Sequence, residues 1–505
     1  MCSRRAARRL AAGLPPRTLV VVVSVVPPGA EWRLAPVVVS GAGVPGGHGW
    51  LHSPSTRRVG LVTLTDIAPT VLDALRVPVP KAMVGHPLRF AAGEADLGRL
   101  ARLDRDAAAR ERVYLPVVMV FTLVQTAVYA AAMATLGRRR QTEGGGGSRG
   151  DRSGDRSGDR SGGRGRWEGR LGVAVLAFAA FPLATFLLRA VPGLTASGLA
   201  GSFAGLAAID AVVVAVARRF RRHPLSPLAW VLGLTLAALV LDVATGARLQ
   251  QASIMGYSPH TAGRFYGLGN TAFAVLAVTT VLLGALHVVH SPRRGEALVT
   301  VACLFAVVAV VDGAPSLGDD VGGILTLVPV LTLTFLALAG RRPSWRLGAG
   351  AVAATMMVLA LATAVDLSRP PESRTHLGRQ VTAVRDGGAG VLLATMARKA
   401  EVNLRILRGS PWTWIIPVIA VFLLEVVVRQ RRGAQLLPRG SPMRIGVVAA
   451  LATGLLGAAV NDSGVVVTAL VLVYVGPFLA LAVVDRSRSG EPVLMEPLSP
   501  VGRAS

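Results

Sequence analysis

Guanidinium, carboxylate, imidazole and amide side chains gather in short segments between long apolar runs. The segment 256–270 carries His260, Arg264, Tyr266 and Asn270, and the segment 312–320 carries Asp312, Asp319 and Asp320. Arg374, His376 and Arg379 follow within 373–379, then Arg398, Lys399, Asn403 and Arg405 within 398–405, and finally Asn461-Asp462-Ser463-Gly464. A guanidinium fork matches phosphate oxygens, so Arg264, Arg374, Arg379, Arg398 and Arg405 suit an anionic ligand. Tyr266, Asn270, Lys399, Asn403 and Asn461 complete the expected substrate-binding set. Asp312, Asp320 and Asp462 are suited to act as a base or to hold a divalent metal, or to pair with those arginines. His260 and His376 are suited to proton transfer. No metal ligand is assigned, and the cofactor stays unknown beyond a divalent metal that such aspartates would accept. Each segment also has a plainer account: Gly-Pro-Ser turns connect helices, and Asp312 and Asp320 can cap helix ends.

These segments have to be positioned by something, and the composition says what. Of the 505 residues, 52% are hydrophobic and only 16% are charged, against about 45–50% and about 25% in ordinary soluble domains. Long apolar runs recur at 113–136, 171–188, 197–217, 228–246, 271–289, 297–311, 321–340, 347–365, 412–428, 445–460 and 464–484, interrupted by charge only at Asp210, Asp242 and Glu425. Most approach the ~20 residues that cross a bilayer as a helix. The sequence therefore predicts a mainly α fold: a polytopic membrane bundle of about eleven transmembrane helices, within one, preceded by a small partial α/β segment. Two cysteines, Cys2 and Cys303, exclude a disulfide scaffold.

The net charge of +26 comes from 54 bases against 28 acids, and all but two of the bases, Lys81 and Lys399, are arginines. Strongly basic stretches at 137–170, 218–223, 293–294, 341–346, 429–444 and beyond 486 alternate with the remaining loops. That alternation is a topology signal. It predicts a plasma-membrane protein with a cytoplasmic C-terminus and an extracytoplasmic N-terminal segment. It also removes nucleic acid as the partner the charge would otherwise suggest and leaves membrane lipid. Against this rule, the outward loop 367–411 holds eight bases: Arg369, Arg374, Arg379, Arg385, Arg398, Lys399, Arg405 and Arg408. The arginine run at 4–9 favours the inside and no signal peptide follows it, so the true start is expected to lie upstream.

The expected organisation is a partial α/β segment at 1–111, a first transmembrane helix at 112–136, and a disordered cytoplasmic Arg/Gly/Ser/Asp linker at 137–170. A membrane domain at 171–484 and a cytoplasmic tail at 485–505 complete it. The linker contains three copies of Asp-Arg-Ser-Gly at 151–162, a composition that cannot bury a core. Residues 391–407 place Leu392, Leu393, Met396, Ala400, Leu404 and Leu407 at three- and four-residue spacing, the pattern of an amphipathic helix at the membrane surface. Asp210 and Asp242 fall within or near the ends of spans, where a charge is costly.

In the N-terminal segment, 18–26 (TLVVVVSVV) and 36–40 (PVVVS) read as strands, and a helix is expected to start near Pro69. Asp66-Ile67-Ala68-Pro69-Thr70-Val71-Leu72, followed by Gly85-His86-Pro87-Leu88, resembles the C-terminal end of the alkaline phosphatase/sulfatase superfamily over roughly residues 15–90. The resemblance implies a metal-dependent hydrolase domain whose nucleophile and most metal ligands lie upstream. Where that family often places an Asp-His pair after the strand, this chain has Ser24-Val25-Val26, and His48 and His52 lack carboxylate partners. A degenerate, non-catalytic domain is therefore expected, and phosphatase or sulfatase activity is not. Arg264–Asn270 (RFYGLGN) is similar to a loop of O-antigen ligase and polymerase-type membrane glycosyltransferases, which implies a polyprenyl-pyrophosphate substrate. The chain as a whole looks like an actinobacterial multi-pass envelope protein.

Together these features predict an outward-facing site for a phosphorylated lipid or glycan carrier, with transferase chemistry. The alternatives are a transporter or flippase of an anionic envelope precursor, and a non-catalytic scaffold. The transferase reading requires the polar segments to meet in space.

Overall fold

The computed structural model describes residues 13–489, apart from 16, 25–32, 45–48, 81–82, 84, 95, 145–156, 195–196, 224, 262 and 432–436. The chain divides into two compact units. The first comprises Met1–Arg112, Tyr257–Tyr266 and Pro370–Ser373, and the second comprises Val113–Gly256, Gly267–Arg369 and Arg374–Ser505.

In the first unit the two valine-rich runs form strands, as β-branched residues favour. β1 (Leu19–Val23) pairs antiparallel with β2 (Val37–Gly41), with Leu19 opposite Gly41. β3 (Gly49–Ser53) lies between β4 (Arg58–Val59) and β5 (Arg89–Ala92), antiparallel to both. The expected helix is α1 (Ile67–Ala74). It starts two residues before Pro69, whose missing N–H falls in the first turn, where it breaks no helical bond.

Asp66 is fully buried and holds this unit together. Its carboxylate accepts hydrogen bonds from Ser53 Oγ at 2.7 Å and Ser55 Oγ at 2.7 Å. The backbone N–H of Thr63 and its Oγ1 donate at 2.9 and 2.7 Å, and the N–H of His86 donates at 3.0 Å. Thr70 Oγ1 donates to Asp66 O at 2.6 Å and accepts from Leu88 N at 2.9 Å. Gly85 passes so close to the Thr65 carbonyl that a Cβ would overlap it. The residues Asp66, Thr70, Gly85 and Leu88 thus form one structural lock. Burial pushes the Asp66 carboxyl up. The bonds from Ser55, His86 N–H, Ser53 and Thr63 N–H outweigh burial and hold its pKa below the ordinary value.

The helices that follow are long. α2 (Leu97–Gly144) starts well before the expected span at 112, and α3 (Ser157–Leu188) starts before 171. Both extend into the stretch expected to be a structureless linker, because once a helix is nucleated each further residue adds a backbone bond. The remainder of that linker, 145–156, lies outside the described residues. So does most of the expected tail, since the last helix runs to Ser489.

The second unit is a helical bundle. After α3 come α4 (Gly198–Arg219), α5 (Ser226–Ala244), α6 (Asn270–His290), α7 (Arg294–Gly313), α8 (Val321–Leu338) and α9 (Trp345–Leu367). Then follow α10 (His376–Gly387), α11 (Ala389–Gly409), α12 (Ile415–Arg431), α13 (Pro442–Val460) and α14 (Gly464–Ser489). Among the described residues ten helices are long and apolar enough to cross a membrane. The expected eleventh, at 412–428, reaches that standard only jointly with α11, from which it is bent by 70°. The chain therefore has the composition and architecture of a multi-pass membrane protein in a lipid environment.

α6 is apolar on all sides and sits at the centre, with Phe273, Leu276, Val281 and Leu282 fully buried. Small residues let its neighbours approach. Gly454 and Gly457 of α13 face Val471 and Val467 of α14, and Thr468 Oγ1 donates to Gly454 O at 2.9 Å. Gln125 Nε2 of α2 donates to Tyr129 Oη at 2.8 Å, and that hydroxyl occupies the space where Gly476 of α14 would carry a Cβ. Gly476→Val should therefore lower the stability of the detergent-solubilised chain by about 1–3 kcal/mol, read as a fall in its thermal unfolding midpoint. An unchanged midpoint would show that α2 and α14 are not this close.

Candidate functional site

Several connections of the second unit are tied together at one end of the bundle, through five linked sets of contacts. The first begins at Asp242 in the last turn of α5. Its carboxylate accepts from Leu249 N at 2.7 Å and from Gln250 Nε2 at 3.1 Å, and Gln250 Oε1 accepts from Gly269 N at 3.0 Å. Asp242 and Gln250 are both buried. This carboxylate thus orders the loop after α5, which accounts for an acid near the end of a span.

The second set joins that loop to the α7–α8 connection. Leu268 N donates to Gly318 O at 2.8 Å. Gly267 has φ +70° and lies against the same carbonyl, where no side chain fits. Gly267 of RFYGLGN therefore serves a backbone crossing, while Gly269 supplies the N–H that Gln250 accepts. Gly318 N in turn donates to Val311 O at 2.9 Å, and Asp320 N to Asp312 O at 3.1 Å. This tight return folds the acids inward: Asp312, Asp319 and Asp320 are 1%, 6% and 3% exposed, and Asp319 has a left-handed φ of +50°.

The third set lies at the start of α8. Both carboxylate oxygens of Asp312 lie against Gly323, and Asn461 Oδ1 and an oxygen of Asp320 lie against Gly322. Glycine at both positions leaves room for these oxygens beside the first turn of a helix, whose N–H groups and dipole favour negative charge. Asp320 occupies the N-cap position of α8 but makes no capping bond with its side chain. Asn461 is buried, and its Nδ2 makes no hydrogen bond among the described residues.

The fourth set centres on Asp366 at the end of α9, a residue the sequence reading overlooked. Its buried carboxylate accepts from Thr375 N at 3.0 Å, Thr375 Oγ1 at 2.9 Å and Gly378 N at 2.8 Å, with Arg369 Nη1 at 3.8 Å. Arg369 also donates to Pro315 O at 3.4 Å. Arg374 donates to Arg369 O at 3.3 Å and Leu367 O at 3.2 Å, so its guanidinium caps the C-terminal end of α9. Of the other expected site residues on this stretch, the phosphate binder Arg379 is half-buried on α10, and His376, expected to transfer a proton, is exposed.

The fifth set attaches α11. Lys399 Nζ lies 3.2 Å from Val460 O and 3.2 Å from Asp462 Oδ1. Asn403 Nδ2 donates to Asn461 O at 2.8 Å and its Oδ1 accepts from Gly464 N at 2.8 Å. Asp462 is more than half exposed and pairs with Lys399 outside the buried acid cluster.

The structure thus brings Asp312, Asp320 and Asn461 together, with Lys399 and Asn403 held on the adjoining 460–464 turn. It does not bring Arg398 and Arg405 there. Both are exposed on another arc of α11, and Arg405 pairs with Glu401 at 2.9 Å. His260, Arg264 and Tyr266 belong to the first unit, and Asn270 begins α6 in the second. Within the first unit Arg57 stacks over the Tyr266 ring at 4.0 Å, while Arg58 donates to Phe265 O at 2.8 Å and to Tyr257 Oη at 3.0 Å. Tyr266 is therefore engaged in packing. The His260 side chain is 2% exposed, with Nε2 3.8 Å from Asp104 Oδ1, and Asp104 also accepts from Arg33 at 3.1 Å. Burial pushes the His260 pKa down, against the pull of Glu111 and Asp104.

Among the described residues no three His, Cys, Asp or Glu side chains are placed to hold a metal ion. Of the two N-terminal histidines without carboxylate partners in the sequence, His52 lies in β3 and His48 lies outside the described residues. Compared with known proteins, the chain matches no family model, no curated protein and no solved structure.

Proposed function

We propose that the chain is a cell-envelope membrane protein that binds a phosphorylated lipid or glycan carrier at this polar end and acts on it as a transferase. The observation that carries this reading is the convergence of separate loops on the α8 N-terminus, where Asp312, Asp320 and Asn461 meet. In this reading Arg379 and Lys399 meet the phosphate, and Asp312 or Asp320 takes the proton of the acceptor group. Arg374, bonded to backbone carbonyls, serves as a brace. The alternation of arginine-rich loops supports an outward-facing polar end and a cytoplasmic C-terminus in a bacterial plasma membrane. The Asp66 lock supports reading the N-terminal unit as a structural remnant of a phosphatase-like domain.

The test is binding of a polyprenyl phosphate to the full chain in lipid nanodiscs, followed by native mass spectrometry. Retention above that of neutral lipid is expected for the wild type. Arg379→Ala should reduce retention about tenfold or more, as loss of a charge-assisted phosphate contact does. Asp320→Asn should leave binding intact. Equal retention of carrier and neutral lipid by the wild type would sink the reading. A transport function is favoured by one observation, the buried Oδ1 of Asp210 within α4, which has no hydrogen-bond partner among the described residues. Carrier movement across vesicles, abolished by Asp210→Asn, would replace transfer with transport.

A further inference from the structure

α11 divides into three arcs along its length, and the burial of its residues follows them. Val391, Thr395, Lys399, Val402, Asn403 and Ile406 are half-buried, at the spacing of one helical face. This is the face that bonds the 460–464 turn through Lys399 and Asn403. The other two arcs are both exposed, and they differ in chemistry. One is apolar, with Leu392 47%, Leu393 65%, Met396 59%, Leu404 47% and Leu407 44% exposed. The next arc holds Arg398, Glu401, Arg405 and Arg408. No residue of α11 is buried, and the helix bends by 70° from the span that follows.

A helix fixed on one face, with an apolar arc and a cationic arc exposed side by side, fits a boundary between hydrocarbon and water. We infer that α11 lies in the plane of the membrane surface and binds anionic phospholipid headgroups through Arg398, Arg405 and Arg408. Charge selects the occupant: the outer arc carries three arginines against one acid, a surplus that attracts an anionic leaflet. The arginine stems reach along the apolar arc while the guanidinium groups stay with the phosphates. A second copy of the chain, the other partner an apolar arc would accept, would have to cover the arginines as well. This inference stands apart from the carrier reading, since it involves none of Asp312, Asp320 or Arg379.

The test uses the full chain in nanodiscs, in a Cys2→Ser and Cys303→Ser background. Single cysteines at Leu393→Cys, Met396→Cys and Leu404→Cys carry a fluorescent label, as do Glu401→Cys and Arg408→Cys. Nitroxide attached to lipid acyl chains should quench the first three and spare the last two. Uniform quenching would place α11 across the membrane, and absence of quenching at the first three would place it on protein; either overturns the inference. For the headgroups, the wild type should retain phosphatidylglycerol over phosphatidylcholine. Replacing Arg398, Arg405 and Arg408 with Ala should weaken that preference by about fivefold per arginine, and replacing them with Lys should restore it. A preference unchanged in the alanine variant would overturn the headgroup assignment. Because these side chains are exposed, their loss leaves the Lys399 and Asn403 attachment in place.

Discussion

Asp66→Ala should destabilise the N-terminal unit by about 3–5 kcal/mol, the largest effect expected of any single change outside the bundle. The carboxylate accepts five hydrogen bonds from three segments, 53–55, 63 and 86, and ties them to one another. A hydrogen bond to a charged acceptor contributes roughly 1.5–3 kcal/mol, and five bonds to one group do not add. The larger part of the loss is the N–H groups of Thr63 and His86 left without an acceptor. The expected readout is rapid proteolysis within residues 49–92 of the full chain under conditions where the bundle stays intact. Asp66→Asn keeps one acceptor oxygen and should fall between. Because the folded pKa is depressed, the stabilisation is present above the unfolded value of about 3.9 and is lost as pH falls through the folded pKa. Wild type should therefore become protease-sensitive on acidification below about pH 4, and Asp66→Asn should show a flatter profile. If Asp66→Ala resists protease like wild type, the unit is held by something other than this lock.

The bundle was legible because its signal is local. Runs of about twenty apolar residues leave a membrane helix little alternative. What escaped was everything that depends on distant pairing. Asp366 and Gly378 are twelve residues apart and obey no helical or strand period, so nothing local marks the acid as an acceptor for the next helix. The polar loops were visible as a set. Their division was not. Neighbours on α11 such as Arg398 and Lys399 point to different arcs, because adjacent helical residues are about 100° apart. The motif RFYGLGN reads as one loop, yet Arg264–Tyr266 packs in the first unit and Leu268–Asn270 in the second. Its Gly267 is explained by the Gly318 carbonyl, a backbone contact that residue types alone do not disclose.

Asp366→Ala should release the α10 N-terminus, and this is the second large effect. A helix begins with N–H groups that have no partner inside the helix. In α10 one is met by the Thr375 hydroxyl, which accepts from Leu377 N at 3.2 Å, and two more are met by Asp366, from Thr375 and Gly378. Gly378 lies against the carboxylate so closely that a Cβ would touch it, so no rearranged side chain can substitute. Loss of the acid costs about 2–4 kcal/mol locally, which raises the opening of this turn by roughly thirtyfold or more. Amide hydrogen exchange at 375–379 should speed up by that factor, while exchange within α6 stays at the wild-type rate. Arg374→Ala removes only donors to exposed-end carbonyls and should cost about 1 kcal/mol. Arg379 sits one turn into α10, so Asp366→Ala should also weaken carrier binding, whereas Arg374→Ala should weaken it much less. Exchange at 375–379 that is unchanged by Asp366→Ala would show that α10 is positioned by its packing alone. If exchange quickens without loss of binding, Arg379 would be removed from the site and the acid cluster left as its core.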